Sequence, residues 1–139
     1  CSGREEIEKR AFSLAVETHP ADFSWMTSPD LRLLVSTFAN EASASLVVRQ
    51  LLEEHLIACG TLLSGAKSLY RWEGKIKESS EVIALMKTNQ DTVERCMARL
   101  QELHPYEVPE IAMLNPEAVS ERYADWVRDA LRNPAQRVS

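Results

Sequence analysis

The feature that most constrains this chain is a long stretch of strand-forming sequence that turns once and comes back. Ile57 to Trp72 is strand-like apart from a break at Ser64-Gly65, and its last part, Leu69-Tyr70-Arg71-Trp72, alternates with the period of a β-strand. Glu73-Gly74-Lys75 supplies a turn. Glu81 to Thr88, carrying Val82, Ile83, Leu85 and Met86, returns as the partner strand. A hairpin of this kind belongs to an antiparallel sheet, and its flanks decide which one.

Before it, Leu31, Leu33 and Val35 alternate with Arg32, Leu34 and Ser36, predicting a strand with one strongly apolar face. Asn40 can cap a helix in which Ala44, Val47, Val48, Leu51 and Leu52 recur at helical spacing up to about Glu54. After the hairpin, a second helix is predicted from about Asp91, with Val93, Cys96, Met97 and Leu100 on one stripe. Pro105 and Pro109 stop it, and Ile111, Met113 and Leu114 give a fourth strand. A last helix sets Val119, Tyr123, Trp126, Val127 and Ala130 on one face and frays at Asn133-Pro134.

The order is therefore β-α-β-β-α-β plus a terminal helix. It predicts an α+β, ferredoxin-like fold in which two helices cover one face of an antiparallel sheet with an extended central hairpin. The other face is left bare, and Tyr70, Trp72 and Ile76 would expose a large apolar patch in a monomer. A partner subunit is the economical cover, and closed rotational symmetry its usual form.

Three segments are expected. Residues 1–29 read as an N-terminal extension, in which 4–17 carry a modest amphipathic pattern through Ile7, Ala11, Leu14 and Ala15. His19-Pro20 and Ser28-Pro29-Asp30 separate it from the main domain. The opening Cys1-Ser2-Gly3 suggests upstream, processed or non-native sequence, and Met26-Thr27-Ser28-Pro29 reads like a native start. Residues 30–132 form the domain, and 133–139 a tail.

With 139 residues, 45% of them hydrophobic, the chain can bury a single core without staples. A net charge of −5, with Lys and Arg scattered among acids, argues against nucleic-acid binding. Cys1, Cys59 and Cys96 show no regular spacing, which suits a reducing compartment, and a cytoplasmic location is expected. No apolar run approaches the roughly 20 residues a membrane-spanning helix needs. Cys59 and Cys96 both fall in apolar settings and read as small core residues rather than nucleophiles. There is no Walker loop, no dinucleotide fingerprint and no G-x-S-x-G, so no catalytic activity is expected.

Several stretches resemble the CutA family. They are Ala58-Cys59-Gly60, the run from Gly65-Ala66-Lys67-Ser68 through Leu69-Tyr70-Arg71-Trp72 to Glu73-Gly74-Lys75-Ile76, the pairs Glu81-Val82 and Lys87-Thr88, and Leu103-His104-Pro105-Tyr106-Glu107-Val108-Pro109-Glu110-Ile111. Tyr123 and Trp126, three apart, fit the family's final helix. The resemblance spans about residues 31–131. It implies a ferredoxin-like protomer whose long strands pair across subunits in a homotrimer, similar in build to PII-type signalling proteins. It also implies a role in tolerance of copper and other divalent cations, by binding or scaffolding and without established catalysis.

The resemblance further implies where chemistry would lie. Copper ligation in a bacterial relative corresponds to a Cys at the position of Ser36, a His at that of Leu103, and Glu110. A Ser hydroxyl is a poor soft-metal ligand and Leu is none, so a mixed N/O pair, His104 and Glu110, is the metal candidate for Cu2+ or another divalent ion. No cofactor is required. Lys67, Tyr70, Arg71, Trp72, Glu73, Lys75, Tyr106, Glu107, Tyr123 and Trp126 are expected at subunit clefts or interfaces. Aromatics at period two are chiefly packing anchors, yet a cleft combining them with opposite charges could hold a small ligand. A PII-like trimer that senses a metabolite there and signals to a partner is the alternative. Glu107 and Glu110 would tend to face opposite sides of a strand-like segment, which argues against a catalytic carboxylate pair.

Overall fold

A computed structural model describes residues 24–27 and 29–132. The helical pattern expected over 4–17 and the tail 133–139 lie outside the described residues. The described residues form six strands: β1 (Met26–Thr27), β2 (Leu31–Phe38), β3 (Cys59–Trp72), β4 (Lys75–Asn89), β5 (Ala112–Leu114) and β6 (Val119–Ser120). Three helices accompany them: α1 (Glu41–Glu53), α2 (Val93–Leu103) and α3 (Glu121–Leu131).

The main sheet has the order β3-β4-β2-β5 and is antiparallel throughout. β4 thus inserts between the two strands of the first β-α-β unit, which is the split βαβ plan of a ferredoxin-like fold. Local chemistry sets the helix ends. Asn40 Oδ1 accepts the Ser43 N–H at 2.8 Å and caps α1. At the other end the Leu56 N–H reaches the Leu51 carbonyl and the His55 N–H the Leu52 carbonyl, a Schellman closure with His55 at φ 56°.

α1 and α2 cover one sheet face. Leu34 and Phe38 from β2, Val82, Ala84 and Met86 from β4, and Val47, Val48, Leu51, Cys96 and Leu100 from the helices form the core. β3 runs so close to α1 that a Cβ on Gly60 would lie 2.5 Å from Val48 Cγ1. β2 adds a second buried face to the expected apolar one through Leu31, Leu33 and Val35: Leu34, Ser36 and Phe38 face α1 and α2. Both faces of this central strand carry apolar residues, so alternation alone could not say which face met the helices.

The second face is not bare along its whole length. α3 lies on it, packing Val127 and Leu131 over Leu31, with Leu33 and Tyr123 alongside. Within α3 the buried residues are Ala124, Val127 and Leu131; Trp126 is half exposed and stacks on Tyr123 at 5.8 Å, and Val119 belongs to β6. The small Ala124 and the aliphatic Leu131 fit close to the sheet where the expected Trp126 does not. β1, although outside the expected domain, is tied to it: Met26 pairs with Ser120, Thr27 with Val119, and the Glu121 N–H donates to the Trp25 carbonyl.

The hairpin extends beyond the sheet. β2 pairs with β4 over Val82–Asn89 only, so among the described residues Lys75–Glu81 has β3 as its sole strand partner. The result is a two-stranded arm, closed by the two-residue turn Glu73-Gly74, both at positive φ (51° and 76°). A bulge at the base, where Gly65 takes φ 85°, shifts the register between Leu63 and Ala66.

Candidate functional site

The arm's register decides which side chains gather. Tyr70 pairs with Lys77, Ser68 with Ser79, and Ala66 with Glu81, so these residues share one face. Lys67, Leu69, Arg71, Ile76 and Glu78 lie on the other. Ile76 therefore does not share a patch with Tyr70 and Trp72, which corrects the expectation of one apolar patch through all three.

An open cleft of about 510 Å³ forms between the first face and the loop after α2. The arm contributes Tyr70, Trp72, Lys77, Ser79 and Glu81; β2 contributes Thr37; the loop contributes Tyr106, Val108 and Glu110. Tyr70 Oη lies 2.9 Å from Ser79 Oγ, which steadies the phenol on its own strand pair. Tyr106 Oη donates to Glu81 Oε2 at 2.9 Å, tying the loop to the base of the arm.

Glu81 is the electrostatic centre of this cleft. Burial opposes its ionisation, but hydrogen bonds from Ser68, Tyr106 and Thr37, with the field of His104, outweigh burial and hold the carboxyl below its usual range. Burial, then the bond to Glu81, push the Tyr106 phenol up to about 12. Tyr106 is accordingly a neutral donor at ordinary pH and Glu81 a charged acceptor.

His104 lies beneath the cleft. It is buried, its ring stacks on Phe38 at 4.3 Å, and Nε2 is 2.8 Å from the Thr37 carbonyl. The Tyr106 N–H donates to Nδ1 at 3.1 Å, which assigns the proton to Nε2. Both ring nitrogens are thus engaged, and burial, against the Thr37 bond and Glu81, pulls the imidazole below its usual range. In this geometry the one lone pair of His104, expected as a metal ligand, serves the turn. Among the described residues no group of three or more His, Cys, Asp or Glu could hold a metal ion.

The other expected ligand positions also fail to converge. Ser36 points into the core opposite Ala84, and Leu103 packs against the core. Of the three, only Glu110 reaches the cleft.

The remaining expected site residues divide plainly. Tyr70, Trp72 and Tyr106 line the cleft with Glu110. Lys67 makes a 3.8 Å ion pair with Glu78 on the arm's far face, where Arg71 also lies. Glu73 and Lys75 sit exposed at the arm's tip, and Glu107 is exposed in an irregular loop rather than a strand. Tyr123 and Trp126 belong to α3. Sequence reasoning missed Thr37, Lys77, Ser79 and Glu81. The signal for three of them was available: a two-residue turn at Glu73-Gly74 fixes the register and sets them beside Tyr70.

Neither cysteine in the described residues offers a nucleophile at this site. Cys96 is buried, and burial pushes its thiol up to about 12. Cys59 is half buried near the root of the hairpin, with Lys87 Nζ 3.9 Å from Sγ.

Comparison with known proteins gives a consistent picture. The family model described as CutA1 divalent ion tolerance protein matches residues 32–130. The divalent-cation tolerance protein CutA of Pyrococcus horikoshii is 43% identical over 95 residues, covering 68% of this chain and 92% of that protein. Among solved structures, CutA from Synechococcus elongatus PCC7942 aligns with a TM-score of 0.75 at 34% identity, covering 81% of this chain and all of that one. CutA1 from Ehrlichia chaffeensis aligns at 0.74 and 30%, covering 77% of this chain and all of its own.

Proposed function

Because this chain belongs to the CutA1 divalent ion tolerance family, we propose that it serves in the tolerance of divalent cations as a homotrimer, by binding or scaffolding and without catalysis. The family match carries the cation role, and the relatives' descriptions favour it over a PII-like metabolite sensor.

The arm supports assembly. A two-stranded ribbon is marginal in water, and this one exposes Leu69 at 61% and Ile76 at 70% on one face and Trp72 at 54% on the other. Among the described residues no strand pairs with either of its long edges, and copies related by rotation would cover them. For metal, Glu110 is the accessible carboxylate at the cleft, and an ion held there would draw further oxygen ligands from water or a second copy. Cys59 and Cys96 stand as free thiols, which suits a cytoplasmic setting.

Light scattering on the purified chain tests the assembly: a mass three times the 15.7 kDa of one chain is expected, and a clean monomer at micromolar concentration refutes it. Calorimetric titration with Cu2+ tests the ligand half. Saturable heat that falls in Glu110→Ala supports it, and no saturable heat removes direct metal binding from the proposal.

A further inference from the structure

The arm leaves the sheet at the bulge. Between the pairs Leu63–Ile83 and Ala66–Glu81, β3 spends one residue more than β4, and Gly65 takes φ 85° there. A Cβ added to Gly65 would meet nothing within 4 Å, so the position needs glycine for its backbone angle and not for room. An extra residue of this kind bends its strand and raises the local twist. It also changes parity: Tyr70 and Trp72 continue the sheet face of Thr61 and Leu63, although one pair of numbers is even and the other odd.

The root of the arm is braced on both strands. Ser64 Oγ donates to Glu41 Oε2 in the first turn of α1 at 3.3 Å, and Glu81 on β4 accepts the Tyr106 hydroxyl at 2.9 Å. The bulge thus sits between a fixed base and a projecting lever. From Ala66 to Trp72, at about 3.3 Å per residue, that lever is about 20 Å long. A change of about 10° at its root moves the tip by about 3.5 Å, one carbon–carbon contact distance.

We infer that the Ser64-Gly65 bulge is the closure device of the assembly: it aims the arm so that copies close at three. The inference rests on the homotrimer proposed above. An arm that pairs with the next copy makes a head-to-tail contact. Such contacts form a ring only when the rotation between neighbours closes, and any other rotation yields open chains. Closure at three needs a third of a turn per contact. The exposed apolar side chains of the arm supply adhesion, but they do not fix a rotation; the backbone at Gly65 does.

Deleting Gly65 isolates the bend. Ser64 can then fall opposite Val82, while Leu63–Ile83 and every pair from Ala66–Glu81 to Trp72–Lys75 are kept. Sedimentation velocity of the deletion variant should show the trimer replaced by monomers and open chains whose mass grows with concentration, with far-UV circular dichroism unchanged. A single trimer peak that dissociates at the wild-type concentration overturns the inference.

Should the deletion variant fail to fold, two substitutions decide alone. Asn tolerates the left-handed region and β-branched Val does not, yet both would place a side chain of similar bulk in the same open space. Gly65→Asn should keep the trimer. Gly65→Val should raise the concentration at which half of it dissociates by about tenfold, because a dissociated arm can relax the angle and an assembled one cannot. Equal dissociation in the two variants overturns the inference, since a packing role would affect them alike. A wild-type chain that is itself monomeric refutes the assembly, whereas a wild-type trimer with an unmoved deletion variant refutes only the role of the bulge.

Discussion

Ser36 carries a hydroxyl that the fold does not use. The residue is fully buried on the helix-facing side of β2, opposite Ala84, and its Oγ has no hydrogen-bond partner among the described residues. An unsatisfied buried hydroxyl costs roughly 1–3 kcal/mol relative to its hydrated state. Ser36→Cys removes most of that, because a thiol is a weak hydrogen-bonding group and a good core filler, while the larger sulfur returns part of the gain as tighter packing. A net gain of about 1 kcal/mol is expected. Ser36→Ala removes the same penalty but leaves a small void, for a gain of about 0.5 kcal/mol. Ser36→Val adds bulk to a filled site and should cost about 1–3 kcal/mol. Guanidinium unfolding at one fixed protein concentration, since assembly would couple to stability, reads the order Cys, Ala, Ser, Val. Destabilisation by more than about 1 kcal/mol in both Cys and Ala variants would refute the reasoning, because it would mean that the hydroxyl is held by something worth more than its burial costs.

Other outcomes rest on the same geometry. His104 has its imidazole pulled down in the folded state, so the unfolded chain binds more protons below about pH 6.5. Its contribution is complete above that pH and lost as pH falls towards the folded value; wild type should therefore lose more stability than His104→Gln between about pH 7.5 and 5.5. Glu81, with its folded carboxyl lowered, acts in the same direction but only as pH falls through its unfolded value near 4.5, which separates the two in a pH series. Gly60→Ala drives a Cβ into Val48 Cγ1 and should cost about 2 kcal/mol in denaturant unfolding, with Val48→Ala recovering part of it in the double variant. His55 occupies the left-handed position that closes α1, so His55→Gly should raise stability by about 0.5–1 kcal/mol.

Much of this fold was legible in the chain. Asn40 caps α1 as its side chain promised, and the stripe Val93, Cys96, Leu100 is the buried face of α2. Periodicity worked for these helices because each has one core to meet. It was incomplete for β2, where Leu31 and Leu33 pack beneath α3 while Leu34 and Phe38 pack beneath α1 and α2. A central strand covered on both sides has no polar face to orient it. The site was half legible. Tyr70, Trp72, Tyr106 and Glu110 could be chosen as conspicuous residue types, but Glu81 and Thr37 matter through their place in the register, which no composition argument reaches. For His104 the sequence offered a residue type but not its partners: both ring nitrogens are engaged, by the Thr37 carbonyl and the Tyr106 amide.

The short β1–β6 ladder has a topological consequence. Thr27 sits against Val119 just before α3, and α3 ends with Leu131 packed on Leu31, so the domain's first and last segments touch at two places. The described polypeptide is in effect a loop drawn nearly closed. A circular permutant that joins the end of α3 back to β1 through a linker long enough to run the length of that helix, about 16 Å, and opens the chain at Glu73-Gly74 would retain every strand pairing of the sheet. Opening there turns the local β3–β4 hairpin into a pairing across the whole chain length, which should slow refolding far more than it weakens the folded state, whereas cutting between β1 and β2 leaves that hairpin local.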